Sequence, residues 1–147
     1  MWVTNQAPAS NKDDALPDLT GPLPGFGDGP GSAFVVIQIP PESELDTMEG
    51  DQREKATVPI ARIAPNLIEV DTSKHFGMHA TDTVDYLIVL SGELTLLLDE
   101  TETTLKPFDT VIQRGTNRSW VNRGKEPALI AASVHGAEPL ERKAPKR

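Results

Sequence analysis

Two histidines, His75 and His79, stand four residues apart, followed by Asp85 and, further along, by Arg118, Trp120 and Asn122. An imidazole and a carboxylate can move protons near neutral pH. A guanidinium can grip a carboxylate, phenolate or enolate oxygen, and an indole can stack on a planar ligand. The same imidazoles and carboxylate are also metal donors. In an extended chain, however, His75 and His79 face one side about 13 Å apart at roughly 3.3 Å per residue. Ligands of one ion sit about 2 Å from it, so only a bulge, for instance at Gly77, brings both to one metal. The blander alternative is a buried hydrogen-bonded pair, His79 with Asp85, that fills a polar hole.

Strands must position these residues. Short β-rich runs occupy 33–39, Val58–Ile63, Leu67–Val70, Val84–Leu90, Leu94–Leu98, Thr110–Gln113, Ser119–Val121 and Leu129–Val134. Turn signals such as Ser91-Gly92, Pro107-Phe108-Asp109 and Asn122-Arg123-Gly124 separate them. Many short strands at this spacing predict an all-β sandwich or barrel. Alternation puts residues 118, 120 and 122 on one face, with His79 and Asp85 meeting them in the barrel mouth if pairing is regular. Tyr86 should point away from Asp85, its hydroxyl reaching the rim, and joins Arg118, Trp120 and Asn122 as a candidate substrate contact. One of Gln113 and Arg114 should face inward. His75 and His135 read as surface residues, and Asp99, Glu100 and Glu102 as a solvated hairpin tip.

Residues 1–33 are rich in proline and glycine and predict an extended or disordered arm, 34–137 the barrel, and 138–147 a basic tail. At most a short surface helix is expected between Pro41 and Gly50. The arm, around Leu16 to Phe26, has no core of its own to join and is expected to cross to a partner in a homodimer.

Two stretches carry a family resemblance. "GMHATDTVDYLIVLSGELTLLLD" and "LKPFDTVIQRGTNRSWVN" resemble the first and second motifs of a small single-domain cupin, the double-stranded β-helix superfamily. The resemblance implies an antiparallel jelly-roll barrel. In metal-binding cupins the motifs supply His-x-His, a Glu and a third His. Here Gly77 takes the place of the first His, His79 that of the second, Asp85 that of the acid with one extra residue between, and Arg118 that of the third. Only His79 and Asp85 can donate to a metal, so no resident metal or other cofactor is expected, and any divalent ion should bind weakly. The structural reading of Arg118 is an internal ion pair with Asp85 where the metal would be. That of Trp120 is barrel core.

With 147 residues, one domain and one pocket are expected. The net charge of −8 and the lack of a basic, aromatic-rich patch argue against nucleic acid or an anionic membrane as partner. Without cysteine, thiolate catalysis and thiolate zinc sites are excluded. No signal peptide or long apolar run is seen, and a cytoplasmic protein is expected. Three functions remain. The first is a metal-independent lyase, isomerase or cyclase of secondary or aromatic metabolism, acting on a small anionic or phenolic molecule. In it His79 and Asp85 transfer protons while Arg118 holds negative charge. The others are a metal-dependent dioxygenase or isomerase and a non-catalytic ligand-binding cupin.

Overall fold

The strands follow the alternation of the sequence. In the computed structural model, which describes residues 2–4, 7, 9–12, 31–48 and 71–140, β2 (Ser32–Ile39) buries Ala33 and Val35 while Phe34 and Val36 face outward. The period of two turns one face of the ribbon to a core. β3 (Thr83–Ser91) and β8 (Ala128–Gly136) do the same, and the middle strand β4 (Leu94–Leu98), "LTLLL", is buried on both faces over its first four residues. Among the described residues between β2 and β3, a short helix, α1 (Glu42–Asp46), starts just after Pro41 and ends at Thr47.

The described strands form two antiparallel sheets. One has the order β1-β2-β8-β3-β6, where β1 is Trp2–Thr4 and β6 is Thr110–Arg114. The other runs β5-β4-β7, with β5 Glu102–Leu105 and β7 Arg118–Val121. From β3 the chain crosses to β4 and β5, returns as β6, crosses again as β7 and returns as β8. An isolated bridge from His79 to Arg118 extends the smaller sheet beyond β7. The fold is an antiparallel jelly-roll.

Between the sheets lies an apolar core of Leu87, Val89, Leu94, Leu96, Ala128 and Ile130, with Trp120 and Val111 packed against it. Each fully buried large aliphatic side chain contributes about 1.5–3 kcal/mol. The β3–β4 turn depends on Gly92, at φ 77°. A side chain there would be strained and would lie 2.7 Å from the Ala128 Cβ.

The strands expected at 33–39, 84–90, 94–98, 110–113, 119–121 and 129–134 are all present, each within two residues of its expected ends, and so is the short helix. β1 and β5 were not expected. "ETTL" buries only Leu105, so it lacks the apolar alternation that marks a strand, and pairing with β4 alone defines it. The expected strands at 58–63 and 67–70, the arm around Leu16 to Phe26 and residues 141–147 of the basic tail lie outside the described residues. No described helix is long and apolar enough to cross a membrane.

Candidate functional site

The polar end of the barrel is lined by His79, Thr81, Thr83 and Asp85, where the chain leaves the smaller sheet, bends at Asp82 and enters β3. His79 is locked beside Arg118 by two backbone bonds of 2.9 Å, His79 N–H to the Arg118 carbonyl and Arg118 N–H to the His79 carbonyl. Such directly opposed residues present their side chains to one side of the sheet. Arg118 then spans the gap between the sheets. Its Nη2 donates to Asp85 Oδ2 at 3.1 Å and to the Thr81 hydroxyl at 2.9 Å. The two side chains of the ion pair are 6% and 7% exposed, so it is held out of water. Thr81 and Thr83 share a hydroxyl–hydroxyl bond of 2.7 Å. Gln113, opposite Asp85 in the β3–β6 register, is the inward member of the pair Gln113 and Arg114, and its amide donates to Thr116.

Electrostatics follow from this enclosure. Burial first and the Arg118 charge second lower the His79 pKa to about 4, against the Gly77 carbonyl that favours the charged ring. The ring is therefore neutral at pH 7. Its Nδ1 lies 2.8 Å from the Gly77 carbonyl, an acceptor, so Nδ1 carries the hydrogen and Nε2 the free lone pair. Burial raises the Asp85 pKa, and Arg118, the Thr83 hydroxyl and His135 pull against it. Asp85 Oδ1 is buried without a hydrogen-bond partner among the described residues. The arrangement thus offers a neutral base beside a buried cation–carboxylate pair, which can accept a proton while the guanidinium field favours nearby negative charge.

His75 is not the surface residue the sequence suggested. Residues 75–78 form a turn closed by Met78 N–H to the His75 carbonyl, so the extended geometry assumed for 75–79 does not hold. The His75 side chain is only 13% exposed, and its Nε2 bonds Glu42 Oε1 at 3.1 Å. Its Nδ1 accepts from Gly77 N–H at 3.0 Å and from the Ser119 hydroxyl at 2.9 Å. Ser119 alternates with Arg118, so this network lies on the opposite face of β7 from His79. Gly77 joins the two histidines, its N–H bonding His75 and its carbonyl bonding His79. A Cβ at Gly77 would meet the Ser119 hydroxyl at 2.8 Å and the His75 ring at 3.1 Å, so this position points away from the site.

The remaining candidates divide. Trp120 faces the interior but packs against the apolar core, opposite Leu96. Asn122 is 2% exposed and fully engaged. Its amide donates to the carbonyls of Ile39 and Glu126 at 3.0 and 2.8 Å, and its oxygen accepts Gly124 N–H at 2.9 Å. It clamps the loop after β7 and does not stand with His79. Tyr86, 52% exposed, lies on the outer face of β3 edge-on to His135, whose Nε2 bonds the Ser133 hydroxyl at 2.9 Å. Glu102, expected at a hairpin tip, instead opens β5 and holds Arg123 through both carboxylate oxygens. Thr81, Thr83, Ser119 and the burial of His75 were missed. The first two were readable as the period-two continuation of His79 and Asp85.

A resident transition metal does not fit this donor set. His79 and Asp85 are two donors, and Gly77 supplies none. Arg118 puts a permanent cation 3.1 Å from the carboxylate oxygen that a metal would need. Among the described residues no three His, Asp or Glu side chains are grouped as ligands.

No family model matches the sequence. Two curated relatives from Diaporthe leptostromiformis, phomopsin biosynthesis cluster proteins C' and D, are each 51% identical over 58 residues, 39% of this chain. The chain matches only 31% of the length of each. Among solved structures, the Schizosaccharomyces pombe Cnp3 cupin domain superposes with a TM-score of 0.42 at 17% identity over 71% of this chain and 56% of that one. A cupin-2 domain protein of Shewanella frigidimarina gives 0.41 at 14% identity over 74% and 71%. The strand order itself, β2-β8-β3-β6 facing β5-β4-β7 with His79 bridged to the far edge, makes the chain an antiparallel jelly-roll, the fold of the cupin domains it is similar to.

Proposed function

We propose that the chain is a metal-independent, small-molecule enzyme of lyase, isomerase or cyclase type that serves secondary metabolism. The observation that carries this reading is His79, a ring neutral at pH 7 with its hydrogen fixed on Nδ1 by the Gly77 carbonyl and its Nε2 lone pair beside the Arg118 charge. Nε2 removes a proton from an activated carbon or hydroxyl of a planar, oxygenated substrate. The negative charge that develops on substrate oxygen is met by the field of Arg118, held in place by Asp85 and Thr81. Proton return from the imidazolium completes an isomerisation, elimination or ring closure without any change of oxidation state. The names of the two phomopsin-cluster relatives support the metabolic setting, and the missing donors at Gly77 and Arg118 support the absence of a metal step.

The test begins with ligand trapped on the purified protein, identified by native mass spectrometry and used as substrate or product. Turnover by His79→Ala should fall at least about a hundredfold, the lower end for general acid–base groups, with circular dichroism unchanged. Full turnover in that variant, or dependence of turnover on stoichiometric iron or zinc, would refute the reading.

A further inference from the structure

Glycine is the least restrained residue of a chain, yet the carbonyl that fixes the hydrogen of His79 belongs to Gly77. Two consecutive peptide units flank that glycine, and both are tied to residue 75. The unit ahead of it is held through the Gly77 N–H, which donates to His75 Nδ1 at 3.0 Å. The unit after it carries the Gly77 carbonyl together with the Met78 N–H, and that N–H donates to the His75 carbonyl at 3.1 Å. In a trans unit the two groups point opposite ways. Holding the Met78 N–H on residue 75 therefore sends the Gly77 carbonyl outward, to His79 Nδ1 at 2.8 Å. The closeness requires the glycine, since a Cβ there would lie 3.1 Å from His75 Nδ1 and 2.8 Å from the Ser119 hydroxyl.

The ring that holds this turn is itself anchored from two other elements. Its Nε2 bonds Glu42 Oε1 at 3.1 Å at the start of α1, and Ser119 of β7 donates its hydroxyl to Nδ1 at 2.9 Å. With Nδ1 accepting, Nε2 carries the ring hydrogen and the Glu42 carboxylate accepts it. Glu42 is placed in turn by its own N–H, which donates to the Asn122 carbonyl at 2.7 Å. We propose that His75 is a positioning residue for His79: anchored by Glu42 and Ser119, it aims the Gly77 carbonyl and so sets the tautomer of a base on the other face of β7. This rests on the reading of His79 as the proton acceptor. The hydrogen bond made by one imidazole nitrogen decides which nitrogen carries the hydrogen, and here the acceptor sits on a residue too free to hold itself. Without the His75 ring, the Gly77 N–H and the buried Ser119 hydroxyl lose their acceptor. The turn then relaxes, and the His79 hydrogen can move to Nε2, the atom whose lone pair the chemistry needs.

Nitrogen NMR of the imidazoles at pH 7, on the full chain and with no substrate, tests this. Wild type should show His79 in the Nδ1–H form. In His75→Leu the ratio of Nε2–H to Nδ1–H at His79 should rise about tenfold or more, the scale of a buried hydrogen bond left unmade. His75→Asn should keep most of the wild-type form, because an Asn side chain accepts the N–H two residues on in the same way. Glu42→Ala, at a side chain 32% exposed, should shift the ratio in the direction of His75→Leu and reports even if that variant fails to fold. Glu44→Ala removes the same charge from an exposed position of the same helix and should leave the ratio unchanged. A folded His75→Leu with the wild-type ratio, a His75→Asn no better than His75→Leu, or a Glu42→Ala indistinguishable from Glu44→Ala would each overturn the positioning role while His79 stays Nδ1–H in wild type. A wild type in the Nε2–H form would instead sink the reading of His79 itself, and the positioning role with it.

Discussion

The two halves of the barrel interior are made by the same strands and differ in what they leave unsatisfied. Along β3, Thr83 and Asp85 give way to Leu87 and Val89, along β6 Gln113 to Val111, and along β7 Arg118 to Trp120. The apolar half is closed, with Leu94 and Ala128 at 0% exposure. The polar residue at its end, Asn122, has every side-chain group bonded to backbone. The polar half instead holds a buried ion pair, an Asp85 oxygen without a partner among the described residues and a histidine stripped of its usual basicity. One half contributes most of the stability. The other spends some of it on groups positioned for chemistry, as functional sites commonly do.

Breaking the pair on one side should give the largest effect. Asp85→Ala leaves the Arg118 charge buried, and unfolding in urea should show a loss of about 3–5 kcal/mol. Adding Arg118→Met should restore much of it, since the second change removes the stranded charge. A double mutant no better than the single would show that the pair is not what holds the polar half together. In the apolar half, Leu94→Ala should cost about 3 kcal/mol, a cavity effect at a fully buried site. That loss should be the same at pH 5 and pH 7, because no titrating group shares the cavity.

The polar half should respond to pH. His79 has an ordinary pKa of 6.5 and is pushed to about 4 in the fold. The unfolded chain therefore takes up a proton before the folded one does. The contribution of His79 is fully present above pH 6.5 and is lost as pH falls toward 4, by at most about 3 kcal/mol. His79→Gln should flatten that segment of the stability curve, as measured by thermal melts across the range. A curve with the same slope in both proteins would place the pH dependence on other groups.

How much of this was legible in the sequence depended on where each pattern ended. β2, β3, β4 and β8 announce themselves by apolar alternation or by a run such as "LTLLL". β5 could not be read because its residues face water and its only buried side chain is Leu105. The inward set His79, Asp85 and Arg118 was legible from strand parity. His75 was misread, since sequence gives no sign that residues 75–78 turn and fold the ring under β7 against Ser119 and Glu42. Asn122 shares parity with Arg118 and Trp120, and only the loop that wraps it reveals a clamp. Tyr86 was expected to point away from Asp85 and does so, which separates it from the interior set.

The central claim is that His79 is a neutral acceptor with its lone pair on Nε2. Nitrogen-15 and carbon-13 NMR of the imidazole, titrated through pH 3–8, measures both properties at once. A pKa of about 4 with the neutral ring in the Nδ1–H form is the expected result. A pKa above about 7, which leaves the ring mostly protonated at pH 7, or a neutral ring in the Nε2–H form would contradict it, because either puts a hydrogen on Nε2 where the lone pair should be.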